Sequence, residues 1–550
     1  MRNELFEDNE AFMSYDFGSQ GVSASWARPA TGEIVFSDVP FGEFAELGLT
    51  NDGVLPSEYE GQAFQPVAAN IRAFDLVTRS LRAKVGSEGM KLVQRIGVDG
   101  QQHGSTYWTK EAPDKFFALN SSTDMTEWLV PALASPNARI WMTSSSGDQR
   151  ERMTAGMGGI ENYVNKAGCQ PFERYTGTVI ADVDARQPLV LDRTAGIRLI
   201  EQLPVMIMTG SFNSPMGYGG ACGTALWDHR TKSWDPELLN LALEREGDGA
   251  AVLESMLTPI VAPGTALPIS NFFSDMSGIS TFARVYEPTG DNPGTRVTIK
   301  DREDGTPSTV ISLGTSITGN IGLAEEQVDT SGNLALMFDY VGRPFYLVCR
   351  TNGTARWDEA RDISRSDYKG QDRILSQYLD GVIANAGTAR PAEILFNYAK
   401  NETFPEIKIY QKRHGFDQGN PKNDLRATIE SSLADIAVHA GEFIPEGPVE
   451  VAGGGSKSPE VVRMLAAMLN RPIVVSEGSS EGACLGSNYA AQFFYLNEIR
   501  TTETPLAQIV GTASAGTLVE PNAALVRYYH QDGGYLDQFR AAQAPLLNKS

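Results

Sequence analysis

The sequence predicts a two-domain α/β protein, and three observations predict it. Short strands separated by polar, Gly-containing turns open the chain, the same design recurs near residue 310, and a helical pattern follows each set. In the first set, residues 11–15, 22–27 and 33–36 read as strands, with turns at 18–21 and 29–32. A helix over 70–85 follows, then a strand-like run at 95–98. In the second set, 308–313 is β-rich, 314–316 is a turn, and 334–340 and 345–349 read as strands. A helix over 424–439 then precedes a strand at 449–451. These patterns place a boundary near Val285, giving domains at 10–285 and 286–545. The Ala-rich tail from Thr501 to Ser550 carries one amphipathic helix near Tyr535.

Composition narrows the possible partners. The 550 residues carry a formal net charge of −22, and 41% are hydrophobic. Nucleic-acid backbones and anionic membrane surfaces reward basic patches, so this balance points away from both. The four cysteines, Cys169, Cys222, Cys349 and Cys484, are widely spaced and form no CxxC pair, which suits a reducing compartment without a zinc site. The first ten residues are acidic, and no apolar run is long enough to span a bilayer; both fit a cytoplasmic protein.

Five segments carry chemistry. Asp16, Phe17, Gly18, Ser19 and Gln20 form a turn whose backbone N–H groups can approach a phosphate, while Asp16 can hold Mg²⁺ or its water. Ser312, Leu313, Gly314, Thr315 and Ser316 repeat that design. Gly453, Gly454, Gly455, Ser456, Lys457 and Ser458 end a strand and open a helix, with Ser458 as N-cap and Pro459 in the first helical position. Gln101, Gln102, His103 and Gly104 follow a strand and precede Tyr107 and Trp108, a composition suited to hydroxyl hydrogen bonds and ring stacking on a sugar. Asp291 and Asn292 follow Gly290 at the expected boundary, where a carboxylate and an amide can face a ligand.

In this order the motifs resemble the FGGY family of carbohydrate kinases, and within it the eukaryotic-type xylulokinases. The resemblance runs from about Ser14 to about Phe494. It rests on QQHG at 101–104 with Tyr107 and Trp108, ERYTG at 173–177, TGDNP at 289–293, SLGTS at 312–316, GGGSKS at 453–458 and ACLGS at 483–487. It implies two actin-like, ribonuclease-H-like domains with a ligand cleft between them, the first binding sugar and the second nucleotide. It also implies ATP, Mg²⁺ and a ketopentose, foremost D-xylulose phosphorylated to D-xylulose 5-phosphate, and it allows a homodimer. Gln102, His103, Arg174, Asp291 and Asn292 would bind the sugar; Ser19, Gln20, Gly314, Thr315, Ser316, Gly454, Gly455 and Ser458 the nucleotide; and Asp16 the metal.

Three positions depart from the family pattern. By resemblance, an Asp that serves as base is expected where Gly220 stands, a Lys where Ser23 stands, and an Asp where Thr143 stands. Glycine cannot accept a proton, so Asp291 is the expected substitute base, ahead of Asp275. The same departures leave open a noncatalytic protein that binds sugar and nucleotide, or a kinase of another acceptor in a pocket enlarged at Thr143 and Gly220.

Overall fold

The computed structural model describes residues 2–57, 59–243, 245, 248–417, 419–476, 482–511 and 516–547. The chain divides into two compact units: residues 1–300, 336–344 and 481–512 form the first, and 301–335, 345–480 and 513–550 the second. The helix Gly482–Ile499, which follows the second Gly-rich motif in sequence, therefore belongs to the first unit.

The first unit is built on β1 (Ala11–Phe17), β2 (Gly21–Arg28) and β3 (Glu33–Pro40), an antiparallel meander as the turn signals predict. After β4 (Phe64–Pro66), the helix Val67–Lys91 leads into β5 (Val93–Gly100), which pairs parallel to β1. β6 (Ser105–Trp108), β7 (Asn137–Arg139) and β8 (Gly196–Leu199) join β4 in a second small sheet. β9 (Trp227–Asp228) and β10 (Ser233–Trp234) form a hairpin. β11 (Ala266–Pro268) and β12 (Arg284–Tyr286) extend the main sheet to the order β11-β12-β5-β1-β2-β3, and β13 (Thr289–Gly290) also pairs with β5.

Period-two alternation sorts the side chains of β1 between two covers. Met13, Tyr15 and Phe17 pack into one core with Phe74, Val77 and Leu81 of the helix Val67–Lys91, and the Tyr15 hydroxyl lies 3.0 Å from Thr78 Oγ1. Phe12 packs on the opposite side with Ala490, Ala491 and Phe494 of the helix Gly482–Ile499, and Ser14 Oγ donates to the Cys484 carbonyl at 2.6 Å. Asp16 falls in register with this second set, at the end of the strand. A strand buried on both faces reads as nearly continuous apolar sequence, as β1 does.

The helix Gly482–Ile499 fits only because glycines line its path. A Cβ at Gly97 of β5 would run into the Ser487 carbonyl oxygen, and one at Gly486 into the Gly294 carbonyl oxygen of the helix Asp291–Val297. Backbone cannot step aside as a flexible side chain can. Gly486→Ala is therefore expected to destabilise the protein by about 1–3 kcal/mol, read as a lower denaturant midpoint at unchanged slope.

In the second unit, β14 (Thr309–Leu313) and β15 (Ile317–Gly322) form a hairpin in which Leu313 faces Ile317 across the turn Gly314, Thr315, Ser316. The sequence pattern misses β15, because Gly319, Asn320 and Gly322 lower its β-propensity. The structure uses Gly319 for close packing, since a Cβ there would lie 3.2 Å from Val348 Cβ. β16 (Ala335–Phe338) lies where the chain passes between units, and β17 (Pro344–Arg350) pairs with β15. Two small pairs follow, β18 (Ile394–Tyr398) with β21 (Tyr410–His414) and β19 (Glu402–Thr403) with β20 (Glu406–Ile407). β22 (Val449–Ala452) pairs parallel to β14, β23 (Ile473–Val475) parallel to β22, and β24 (Thr517–Val519) antiparallel to β23. The expected helix at 424–439 is Pro421–His439, and among the described residues the tail carries three helices, Leu506–Val510, Ala523–His530 and Tyr535–Leu547, where one is expected near Tyr535.

Candidate active site

Three strand ends of the first unit converge. The register sets Asp16 of β1 opposite Asp99 of β5, and Asp99 opposite Thr289 of β13, so Asp291 begins its helix just past the aligned ends. Ligand sites of α/β sheets lie at such carboxyl ends. Asp99 is fully buried and accepts a hydrogen bond from the Ser487 hydroxyl. Burial and the Asp16 charge, only partly offset by Ser487, push its pKa well above the carboxylate range.

Asp291 is raised less, to about 7, by burial and by Asp16. Hydrogen bonds limit the rise: Asn292 donates to Asp291 Oδ1 from its backbone N–H at 2.8 Å and from Nδ2 at 2.9 Å, and the Gln102 backbone N–H donates as well. A carboxylate fixed by three donors and titrating near neutrality has the properties of a general base.

His103 is buried and held at φ +72°, an uncommon conformation for a residue with a side chain. Its Nδ1 lies 2.6 Å from the Gly223 carbonyl oxygen, which can only accept, so Nδ1 carries the hydrogen and Nε2 is an acceptor. Burial and the neighbouring Arg174 charge pull its pKa down to about 3, so the ring is neutral. It stacks on Tyr175 at 4.1 Å, which brings the 101–104 and 173–177 segments together.

Other members of the 101–108 segment serve the scaffold. Gln101 Nε2 donates to Gln65 Oε1 at 2.8 Å, and Gln65 Nε2 donates to the Ser19 carbonyl at 2.9 Å, bracing the β1–β2 turn. Gln102 Nε2 donates to the Gly219 carbonyl at 2.7 Å. Tyr107 and Trp108 do not offer stacking faces to a sugar, as their composition suggests they should. Both are buried on β6, where Trp108 packs edge-on against Phe116 and Phe212 and donates to Thr106 Oγ1 at 2.7 Å.

Asp16 lines an open pocket of about 480 Å³ with Ser19, Gln20, Ser23, Asp38 and Trp141. The Trp141 indole N–H donates to Ser19 Oγ at 2.7 Å, and Gln20 Nε2 to the Asn51 carbonyl at 3.3 Å. Ser23 stands directly across from Asp16 on β2, and Thr143 is buried.

At position 220 the geometry departs from the sequence expectation. A Cβ on Gly220 would point at Glu201 Oε1 at 3.0 Å, Met216 Cγ at 3.3 Å and Leu199 Cδ1 at 3.5 Å. A carboxylate placed there faces another carboxyl and two apolar side chains, surroundings that oppose ionisation. Asp275 lines a different surface pocket, with Arg72, Arg79 and Arg82. Sequence reasoning passes over both Asp99 and Glu201. Asp99 sits two residues before the QQHG segment, a usable signal, whereas nothing in the local sequence marks Glu201.

In the second unit, the β14–β22 pairing sets Ser312 beside Ala452, so the turn 314–316 and the loop 453–458 leave neighbouring strand ends. Gly453, at φ +88°, lies against Leu313, where a Cβ would come within 2.8 Å of the carbonyl oxygen. Over Gly454 no atom of the described residues lies within 4 Å of a Cβ position, leaving its backbone open to a ligand, while Gly455 packs against Leu313 and Trp357. The Ser458 hydroxyl caps its helix by accepting from the Val461 N–H at 3.3 Å and donates to Asp372, so its hydrogen is already committed.

No protein-family model matches the chain. It is 26% identical over 513 residues to a protein named probable D-xylulose kinase A from Neosartorya fischeri, covering 87% of this chain and 88% of that one. Its fold matches the crystal structure of a xyloylose kinase from Brucella ovis, with TM-score 0.75 at 17% identity over 98% of this chain and all of that one. A ligand-bound xylulose kinase from Lactobacillus acidophilus matches with TM-score 0.75 at 17% identity, covering 98% and 99%. The α/β architecture is thus that of the two-domain, actin-like sugar kinases. No helix among the described residues is long and apolar enough to cross a membrane.

Proposed function

We propose that this protein is an ATP-dependent kinase of a ketopentose, foremost D-xylulose, which it converts to D-xylulose 5-phosphate. The observation that carries the reading is Asp291: a half-buried carboxylate held by Asn292 and the Gln102 N–H, with a pKa near 7, at the end of aligned strands. The similarity to D-xylulose kinase A over most of both chains supports the choice of substrate.

In this reading Asp291 takes the proton from the attacking hydroxyl as the hydroxyl oxygen bonds to the γ-phosphorus of ATP and the bond from that phosphorus to the β,γ-bridging oxygen breaks, so that ADP leaves. His103 Nε2 accepts from another sugar hydroxyl, and Arg174, close enough to lower the His103 pKa, donates to the sugar. Position 220 takes no part in proton transfer, so the Gly there does not remove the base. In the second unit, the open backbone at Gly454 and the turn 314–316 receive the nucleotide phosphates; Ser19 and Gln20 belong to a turn of the first unit that can also bind phosphate. ATP supplies the transferred phosphoryl group, and Mg²⁺, when bound, would neutralise charge on the phosphate oxygens.

Among the described residues no three His, Cys, Asp or Glu side chains are arranged to hold a metal. Mg²⁺ bound mainly by phosphates and water needs only one or two carboxylates, and Asp16, lining an open pocket, fits that role. The test is ADP release with D-xylulose and a panel of ketoses and polyols. Turnover of D-xylulose above the sugar-free background is expected, and no turnover on any acceptor would sink the proposal.

A further inference from the structure

Several buried polar atoms near Asp291 have no hydrogen-bond partner in another described residue: both carboxyl oxygens of Glu201, Gln102 Oε1 and Thr289 Oγ1. Buried polar groups are satisfied as a rule, and a group left without a partner calls for a ligand, a water or a functional reason. These atoms line two short glycine segments, Gly219–Gly220 and Gly290. A Cβ at Gly219 would meet Thr289 Oγ1, one at Gly220 would lie 3.0 Å from Glu201 Oε1, and one at Gly290, just before Asp291, would meet Gln102 Oε1.

We propose that Glu201 is a specificity-determining residue of the acceptor site: its carboxyl, opposite the side-chain-free Gly220, pairs with a hydroxyl of a neutral polyol, while an acceptor that carries a carboxylate meets the neighbouring Asp291 charge and is turned away. The inference rests on the kinase reading and narrows its substrate class. Three features support it. Glu201 is 1% exposed, so a hydroxyl that reaches it is stripped of competing water. Its pKa is pushed well above the carboxylate range by burial, eased by its own backbone N–H and raised further by Asp291, so it offers a hydroxyl-like donor as well as an acceptor. The groups around it are neutral or acidic: a Thr hydroxyl, a Gln carbonyl oxygen and the Asp291 carboxylate. Such a set suits the donors and acceptors of a polyol, and the Asp291 charge repels an anion.

A site built to hydrogen-bond a substrate hydroxyl discriminates through the polar groups left unpaired when the wrong ligand binds. The experiment measures acceptor binding by calorimetry and turnover by ADP release, with D-xylulose and D-gluconate as probes, for the wild type, Glu201→Gln, Glu201→Ala and the double variant Glu201→Ala/Gly220→Asp. Glu201→Ala is expected to weaken D-xylulose binding at least about tenfold with the ATP KM unchanged. Glu201→Gln, which keeps a donor and an acceptor, should stay within a few fold of wild type. The double variant, which returns a carboxyl from the opposite wall, should recover part of the loss, and wild type should bind D-gluconate weakly or not at all. Equal D-xylulose affinity in wild type and Glu201→Ala, or tight D-gluconate binding by wild type, overturns the inference. D-Xylulose binding that weakens in Glu201→Ala without turnover in any form defeats the kinase reading alone, and absence of polyol binding by wild type defeats both. Thermal unfolding of each variant with Glu201→Gln as reference separates a lost contact from a lost fold.

Discussion

Asp291→Asn is expected to reduce turnover by about 10² to 10⁴, the usual worth of general-base assistance. Phosphoryl transfer leans mainly on positioning and charge stabilisation, so a small residual rate should remain. The pH profile carries the second half of the prediction. With a pKa near 7, wild-type Asp291 is ionised only as pH rises through neutrality, so kcat/KM should climb across that range and level off above it. The Asn variant should lack that limb. A stability comparison excludes collapse as the cause. The folded pKa lies above the ordinary Asp value of 3.8, so the group's contribution to stability is fully present below the unfolded pKa and is lost as pH rises through about 7. At pH 8 the wild type carries that loss and the Asn variant does not. An inactive Asn variant whose melting temperature at pH 8 is no lower than wild type fits a base; one that melts much earlier, or one that keeps full activity, refutes the assignment.

Gly220→Asp should lower activity, not restore it. Were position 220 the vacant seat of the base, an Asp there would raise the rate by about 10² to 10⁴. The structure argues for the opposite sign. The new Cβ would start 3.0 Å from Glu201 Oε1, tighter than ordinary van der Waals contact, and its carboxyl would enter a space closed by Met216 and Leu199. Overpacking and burial of a second unpaired carboxyl together cost about 1–3 kcal/mol. Displacement of the Gly219 carbonyl would also disturb Gln102, whose side chain donates to it and whose backbone N–H holds Asp291. The outcome is read from kcat/KM for D-xylulose together with the denaturant midpoint. A rate above wild type would return the base to position 220.

Much of the fold is legible in the sequence because its signals are local. The meander of β1 to β3 is marked by turn residues and alternation, and the helix Pro459–Leu469 is announced by an N-cap Ser458 and a first-turn Pro459 that both take those roles. The strand β15 escapes because its glycines are chosen for packing, which no local rule reads. Tyr107 and Trp108 mislead for a related reason: aromatic residues beside polar ones look like a sugar platform, yet on β6 they fill a core between elements distant in sequence.

The sequence by itself determined the α/β class, the order of the motifs and the residue types of the site, since each depends on neighbours within a few positions. Tertiary structure decided which groups can act. Parallel pairing of β1, β5 and β13 aligns Asp16, Asp99 and the start of the Asp291 helix, and the burial that results drives the Asp99 pKa far up and leaves Asp291 near 7. It also decided that the space opposite Gly220 belongs to Glu201, a residue 19 positions earlier with no mark in the local sequence. Proton affinity and packing are set by groups that meet only after folding, which is why the identity of residue 220 was visible in the chain and its meaning was not.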